Sequence, residues 1–151
     1  GHGLGVACGL AYLYQKKKID KKVYVVISEG ELYEGSTWEA FLFAAHHNLK
    51  NLNIIIDENS LIILGSTDDC LKLDSIKDKI EGFGFNVEQV DGHNLDELES
   101  AFKKETKSTK IVLAKTIKGK GFSIMENQAK WHYWNNLDAK EIEICRKDLN
   151  Q

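Results

Sequence analysis

The sequence predicts an α/β fold, a three-layer α/β/α arrangement built on a mainly parallel sheet, and three observations carry that prediction. Short continuous apolar runs recur along the chain, they alternate with segments of helical periodicity, and polar clusters follow two of the runs directly. A continuous apolar run of four or five residues fits a strand covered on both faces. Strand and helix alternating at this spacing imply right-handed crossovers that place helices on both sides of the sheet.

Taken in order, Val6 to Tyr14 is rich in Ala, Gly and Leu and suits a tightly packed helix. Val23-Tyr24-Val25-Val26-Ile27 is the first apolar run, expected to be buried on both faces. Ser36 to Asn48 reads as a helix, with Trp38, Leu42 and Ala45 at helical spacing and with Trp38 and Phe43 expected in the core. His46 and His47 are adjacent on that helix, so they are expected to point apart and to be structural. Asn53-Ile54-Ile55-Ile56-Asp57 is a second buried strand. Leu73 to Ile80 suggests a helix, Phe85 to Val90 a strand, and Leu95 to Lys104 a helix capped by Asn94. Ile111-Val112-Leu113-Ala114 is another apolar strand, Lys118 to Gly121 a loop, and Ala139 to Lys147 a closing helix.

A length of 151 residues fits one domain with a single sizeable core, and 42% apolar with 28% charged residues is an ordinary globular balance. The formal net charge of −3 gives no electrostatic case for nucleic acid. The lysines at 16–18 and 21–22 read as a solvated helix end. Three widely spaced cysteines without a Cys-x-x-Cys pair argue for reduced thiols and a cytoplasmic location. No apolar run approaches the ~20 residues that span a bilayer, so no membrane partner is expected. The chain opens on Gly1-His2-Gly3-Leu4-Gly5, already inside a helical pattern, and the domain over 1–151 is expected to be truncated at its N-terminus.

In a parallel sheet, ligands sit beyond the carboxyl ends of the strands. Those ends are Ser28-Glu29-Gly30-Glu31 and Asp57-Glu58-Asn59. A glycine after a strand lets the backbone approach a ligand, and the amides that start the next helix favour phosphate. A carboxylate beside phosphate is repelled unless a divalent cation bridges them. Glu29 and Asn59 then qualify as oxygen ligands to Mg²⁺, with a backbone carbonyl as a third. The same residues also suit an acidic turn that caps the helix from Glu34 or Ser36, and the motif alone leaves both readings open.

The stretch Ser28-Glu29-Gly30-Glu31-Leu32-Tyr33-Glu34-Gly35, followed by Trp38-Glu39-Ala40, resembles the transketolase segment that normally begins Gly-Asp-Gly-Glu. The likeness continues through Ala44-Ala45-His46 and Leu49-Lys50-Asn51-Leu52 to Asp57-Glu58-Asn59-Ser60-Leu61, with Asn59 thirty positions after Glu29, as in the family. Phe83-Gly84-Phe85, Val90-Asp91-Gly92-His93, the block from Lys115 to Gly121, Met125-Glu126-Asn127 and Trp131-His132 look like the later blocks. The resemblance covers nearly the whole chain in order. It implies a thiamine-diphosphate-binding fold and a two-carbon ketol transfer between sugar phosphates.

By that resemblance, Glu29, the Asn59 side chain and the Leu61 carbonyl would hold Mg²⁺. The Gly30 amide and Glu31 would belong to the cofactor site, and His132 would face the diphosphate or the substrate channel. Glu34 and Glu39 resemble the acidic network at the family's subunit interface, and Glu34 with His132 are the catalytic candidates. The glutamate that activates the cofactor lies in the family's second domain. A partner carrying that pyrimidine-binding half is therefore implied, in a dimer or heterotetramer. One departure stands out. Ser28-Glu29-Gly30 replaces Gly-Asp-Gly, and the glutamate arm is one methylene longer at a metal that demands near-ideal octahedral geometry. Two alternatives follow: another thiamine-diphosphate activity on the same scaffold, such as deoxyxylulose-phosphate synthesis or a 2-oxo acid dehydrogenase component, or a degenerate half that binds a partner without catalysis.

Overall fold

The computed structural model describes residues 1–133 and 136–150. In chain order the elements begin with α1 (Gly3–Lys17), β1 (Val23–Ser28), a 3-10 turn (Glu29–Tyr33), α2 (Gly35–His46) and β2 (Leu52–Glu58). A small hairpin of β3 (Leu61–Ile62) and β4 (Gly65–Ser66) and the single-turn α3 (Thr67–Cys70) come next. They precede α4 (Ile76–Glu81), β5 (Asn86–Asp91), α5 (Leu95–Lys103) and β6 (Lys110–Lys115). A 3-10 turn (Ala129–His132) and α6 (Ala139–Asp148) complete the chain. These elements form two compact units, one of Gly1–Glu58 with Asp74–Lys115 and one of Asn59–Leu73 with the residues from Thr116 onward.

The first unit holds a four-stranded, all-parallel sheet in the order β1-β2-β6-β5. The isoleucines of β2 and the run Ile111 to Ala114 of β6 are the most apolar segments, and they take the two central places, where both strand faces are covered. Neighbouring residues of β1 show the helices on both sides. Gly3 of α1 lies over Val25, whose Cγ2 is 3.7 Å from where a glycine Cβ would stand. The Tyr24 ring, pointing the other way, meets Phe102 of α5 at 6.1 Å. The expected three layers are present. The connection from β1 to β2 runs one way across the sheet and that from β5 to β6 the other, so right-handed crossovers carry α2 and α5 to opposite faces.

Three expectations are corrected here. β1 is an edge strand, with Tyr24 56% and Val26 68% exposed, and is not buried on both faces. A run such as Val-Tyr-Val-Val-Ile carries the same apolar signature at an edge as in the middle. Phe43 likewise is 38% exposed and packs edge-on against Tyr12, outside the core. The fully buried centre is Phe41, ringed by Trp38, Phe83 and Phe85 at centroid distances of 5.9, 6.0 and 6.1 Å. The rings of His46 and His47 do not point apart; they meet at 4.7 Å where α2 runs out.

Local signals set the helix ends. Lys18 turns into the left-handed region at φ 53°, and its amide donates to the Gln15 and Tyr14 carbonyls to close α1. Asn94 caps α5 by accepting from the Asp96 and Glu97 amides, as expected. α4 starts at Ile76, later than the expected Leu73, because Ser75 is the residue whose hydroxyl accepts from the Asp78 amide. In the second unit, α6 opens on a reciprocal capping box between Asp138 and Glu141.

All three cysteines are free thiols, Cys8 and Cys145 buried and Cys70 exposed. The Cys8 thiol donates to the Ala40 carbonyl at 3.6 Å, and burial pushes it up to about 11. Because the thiolate is the reactive form, iodoacetamide at pH 8 should alkylate Cys70 first and leave Cys8 unmodified until the protein unfolds. Peptide mass mapping over time checks the order, and early labelling of Cys8 would contradict the packing of α1 on α2.

Candidate functional site

Parallel pairing brings the carboxyl ends of the central strands level. Ser28 stands opposite Asp57, and Glu58 opposite Lys115, which also pairs with Asp91. Beyond this edge the chain enters the 3-10 turn that carries Glu29, Gly30, Glu31 and Leu32. Leu32 is fully buried and its carbonyl accepts from the Trp38 indole N–H at 2.8 Å, so α2 clamps the turn from outside. Glu29 is only 4% exposed, which is unusual for a carboxylate. Glu31 is half-buried, and its Oε2 is buried without a hydrogen-bond partner among the described residues. Glu34 lies at the exposed start of α2, held through its backbone: its amide donates to Glu31 and its carbonyl accepts from Thr37.

The structure adds Glu58, which the sequence shows only as part of a polar cluster. Burial and the nearby Glu29 raise the Glu58 carboxyl above the ordinary carboxylate range, while Lys115 and a hydrogen bond with Gln89 pull it down. Its Oε2 is also buried without a partner among the described residues. A carboxyl raised in the folded state ionises more easily in the unfolded one. The stability it contributes is therefore lost as pH rises through the ordinary carboxylate range into the raised one. The Glu29 charge acts on Glu58 from the end of the adjacent strand, and Lys115 offsets part of it. The sequence does show the doublet Asp57-Glu58, but only the register sets it beside Glu29.

The remaining expected ligands lie in the second unit. Asn59 Oδ1 accepts from the Leu61 amide at 3.0 Å, which folds the segment into a tight turn with Ser60 in the left-handed region at φ 59°. The turn brings together the Asn59 side chain and the residue whose carbonyl is expected to join it. Leu61 then opens the β3–β4 hairpin, paired with Ser66. The 3-10 turn that bears His132 packs against β3. The His132 ring is exposed, 5.0 Å from Tyr133, and Trp131 anchors the turn by donating to the Ile124 carbonyl at 2.8 Å. In the loop from Lys118 to Gly121, glycine is required at 119: φ is +76°, and a Cβ would stand 2.6 Å from the Met125 carbonyl oxygen.

Carboxylate, amide and backbone carbonyl are all hard oxygen donors of the kind Mg²⁺ takes. The Oε2 atoms of Glu31 and Glu58 leave buried carboxyl oxygen at this edge without a donor among the described residues. No group of three or more His, Cys, Asp or Glu side chains converges among the described residues. The expected set, with one carboxylate, is not of that kind.

A protein-family model described as "Transketolase, thiamine diphosphate binding domain" matches residues 9–150. Among curated proteins, one subunit of the apulose-4-phosphate transketolase of Actinobacillus succinogenes is 42% identical over 153 residues, covering 99% of this chain and 54% of its own length. Human transketolase is 40% identical over 138 residues, covering 87% of this chain and 21% of its own length. The chain thus spans about half the length of the Actinobacillus relative and about a fifth of the human protein. Among solved structures, transketolase from Campylobacter jejuni superposes with a TM-score of 0.91 at 28% identity, covering 99% of this chain and 25% of that one.

Proposed function

The chain belongs to the transketolase family as its thiamine-diphosphate-binding domain, and we propose that it serves as the diphosphate- and Mg²⁺-holding half of an enzyme transferring a two-carbon ketol unit between sugar phosphates. The observation that supports this reading is the buried acidic turn at the carboxyl edge of the sheet, where the Glu29 charge acts on Glu58 and the Oε2 atoms of Glu31 and Glu58 are buried without donors among the described residues. Glu29, Asn59 and the Leu61 carbonyl hold the cation, which offsets the repulsion between Glu29 and a diphosphate. The Gly30 amide and Glu31 belong to the diphosphate pocket, and His132 donates toward diphosphate or substrate oxygen. Glu34 serves the contact with the partner protein. Thiamine diphosphate, when bound, supplies the electron sink for breaking a bond beside a carbonyl; this chain supplies position and charge balance.

Two relatives named as transketolase subunits, each about half covered by this chain, support a division of labour with a second-half protein in a dimer or heterotetramer. No helix among the described residues is long and apolar enough to cross a membrane, and the free cysteines favour a cytoplasmic setting. The purified chain alone should show no ketol transfer, and mixing it with a matching second half should restore turnover with a ketose-phosphate donor. Turnover by the chain alone would overturn the division of labour. A second reading, a non-catalytic half, draws on Ser28-Glu29 in place of Gly-Asp and on the charge crowding with Glu58. Persistent inactivity with the partner, despite complex formation by gel filtration, favours that reading.

A further inference from the structure

The opposite, amino-terminal edge of the sheet carries the reverse charge. Two adjoining grooves open there within the first unit, of about 550 and 250 Å³, and Lys22 and Lys50 line both. Lys18 and Lys21 also line the larger groove, and its only carboxylate is Asp20. None of these four lysines makes an ion pair among the described residues, whereas Lys104 and Lys103 on the far side are engaged by Glu88 and Glu99.

Lysines at helix C-termini are ordinarily explained by the helix dipole, and part of this cluster is. Lys16 and Lys17 occupy the last turn of α1, and Lys110, 7% exposed, donates to the Phe102 carbonyl in the last turn of α5. The rest exceeds that need. The ends of α1 and α2 present about half a negative charge each. With Asp20 and with Glu105, which lines the smaller groove, they balance roughly three of the four unpaired lysines, which leaves about one positive charge uncompensated. The surplus is local, in a chain whose net charge is −3. Lys22 also lies near enough to Lys110 to disfavour its charge, after burial itself. An anion seated there relieves both.

We propose that this trough binds a small anion bearing two or more phosphate groups, held between Lys22 and Lys50. Lysine offers compact point charges suited to phosphate oxygen. The larger groove has the size of a small-molecule site, and a nucleic-acid surface would need a longer basic track. This inference stands apart from the cofactor site, which lies at the other end of the strands.

Inorganic tripolyphosphate is the probe, titrated calorimetrically into the full chain without divalent cations. It should bind at least about tenfold more tightly than orthophosphate, and weaken as salt rises. The double variant Lys22→Gln/Lys50→Gln should lose at least about tenfold in affinity, as expected for two charged hydrogen bonds. Lys140→Gln/Lys147→Gln on α6, which removes equal charge, should leave it unchanged, and so should Asn59→Ala. No binding, equal loss in both lysine pairs, or loss with Asn59→Ala would each overturn the proposal. Tighter binding of a single-stranded oligonucleotide through Lys22 and Lys50 would replace it with a macromolecular surface.

Discussion

With the complementary half present, Asn59→Ala should weaken Mg²⁺-dependent thiamine diphosphate binding about 10- to 100-fold, the usual effect of losing a metal ligand or its support. The loss has two sources. The side-chain oxygen leaves the proposed cation site, and the turn that its hydrogen bond to the Leu61 amide maintains is loosened. Glu29→Asp should act in the opposite direction, since the shorter arm matches the acidic residue usual in the family's motif. Titration of cofactor quenching of tryptophan fluorescence, at fixed and varied Mg²⁺, separates the two effects. Unchanged affinity in Asn59→Ala would remove that residue from the site. Absence of binding in both the native chain and Glu29→Asp would make the non-catalytic reading the better one.

Phe41→Ala should destabilise the first unit by about 3–5 kcal/mol, the range for emptying an aromatic site in a packed core. Phe41 is 0% exposed, and three aromatic rings depend on it for contact. Against a typical domain stability of about 5–15 kcal/mol this is a large fraction. Urea unfolding should show a lower midpoint with little change in slope. Leu42→Ala, one residue along and exposed, should shift stability by no more than about 0.5 kcal/mol. Similar losses for the two variants would mean that α2 does not face the sheet as described.

How far the sequence reveals this molecule depends on the scale of each signal. β2 and β6 announce themselves because central parallel strands are apolar on both faces, and Asn94 announces α5 because a cap needs its side-chain acceptor. The edge position of β1 is not legible, since strand order is decided by pairing between distant segments. The β3–β4 hairpin and α3 escape notice because elements of two to four residues carry no periodicity. At the candidate site, Glu29, Gly30 and Asn59 are picked out by their places after apolar runs. Glu58 is not, because its neighbourhood with Glu29 exists only once β1 and β2 align.

The interior place of β6 also governs how the sheet can form. β6 is the last of the four strands in sequence, yet it joins β2 to β5, which do not touch one another in the sheet order. Before residues 110–115 are available, the strands exist only as a β1–β2 pair and a separate β5, and neither set has its inner edge closed. Closing the sheet requires pairing across more than fifty residues between β2 and β6, a non-local step whose loop entropy must be met before the contacts repay it. Without β6, the segment Ile54-Ile55-Ile56 of β2 has no strand on its inner side. A chain ending before β6 would keep a β1–β2 pair and a lone β5 with no strand to join them.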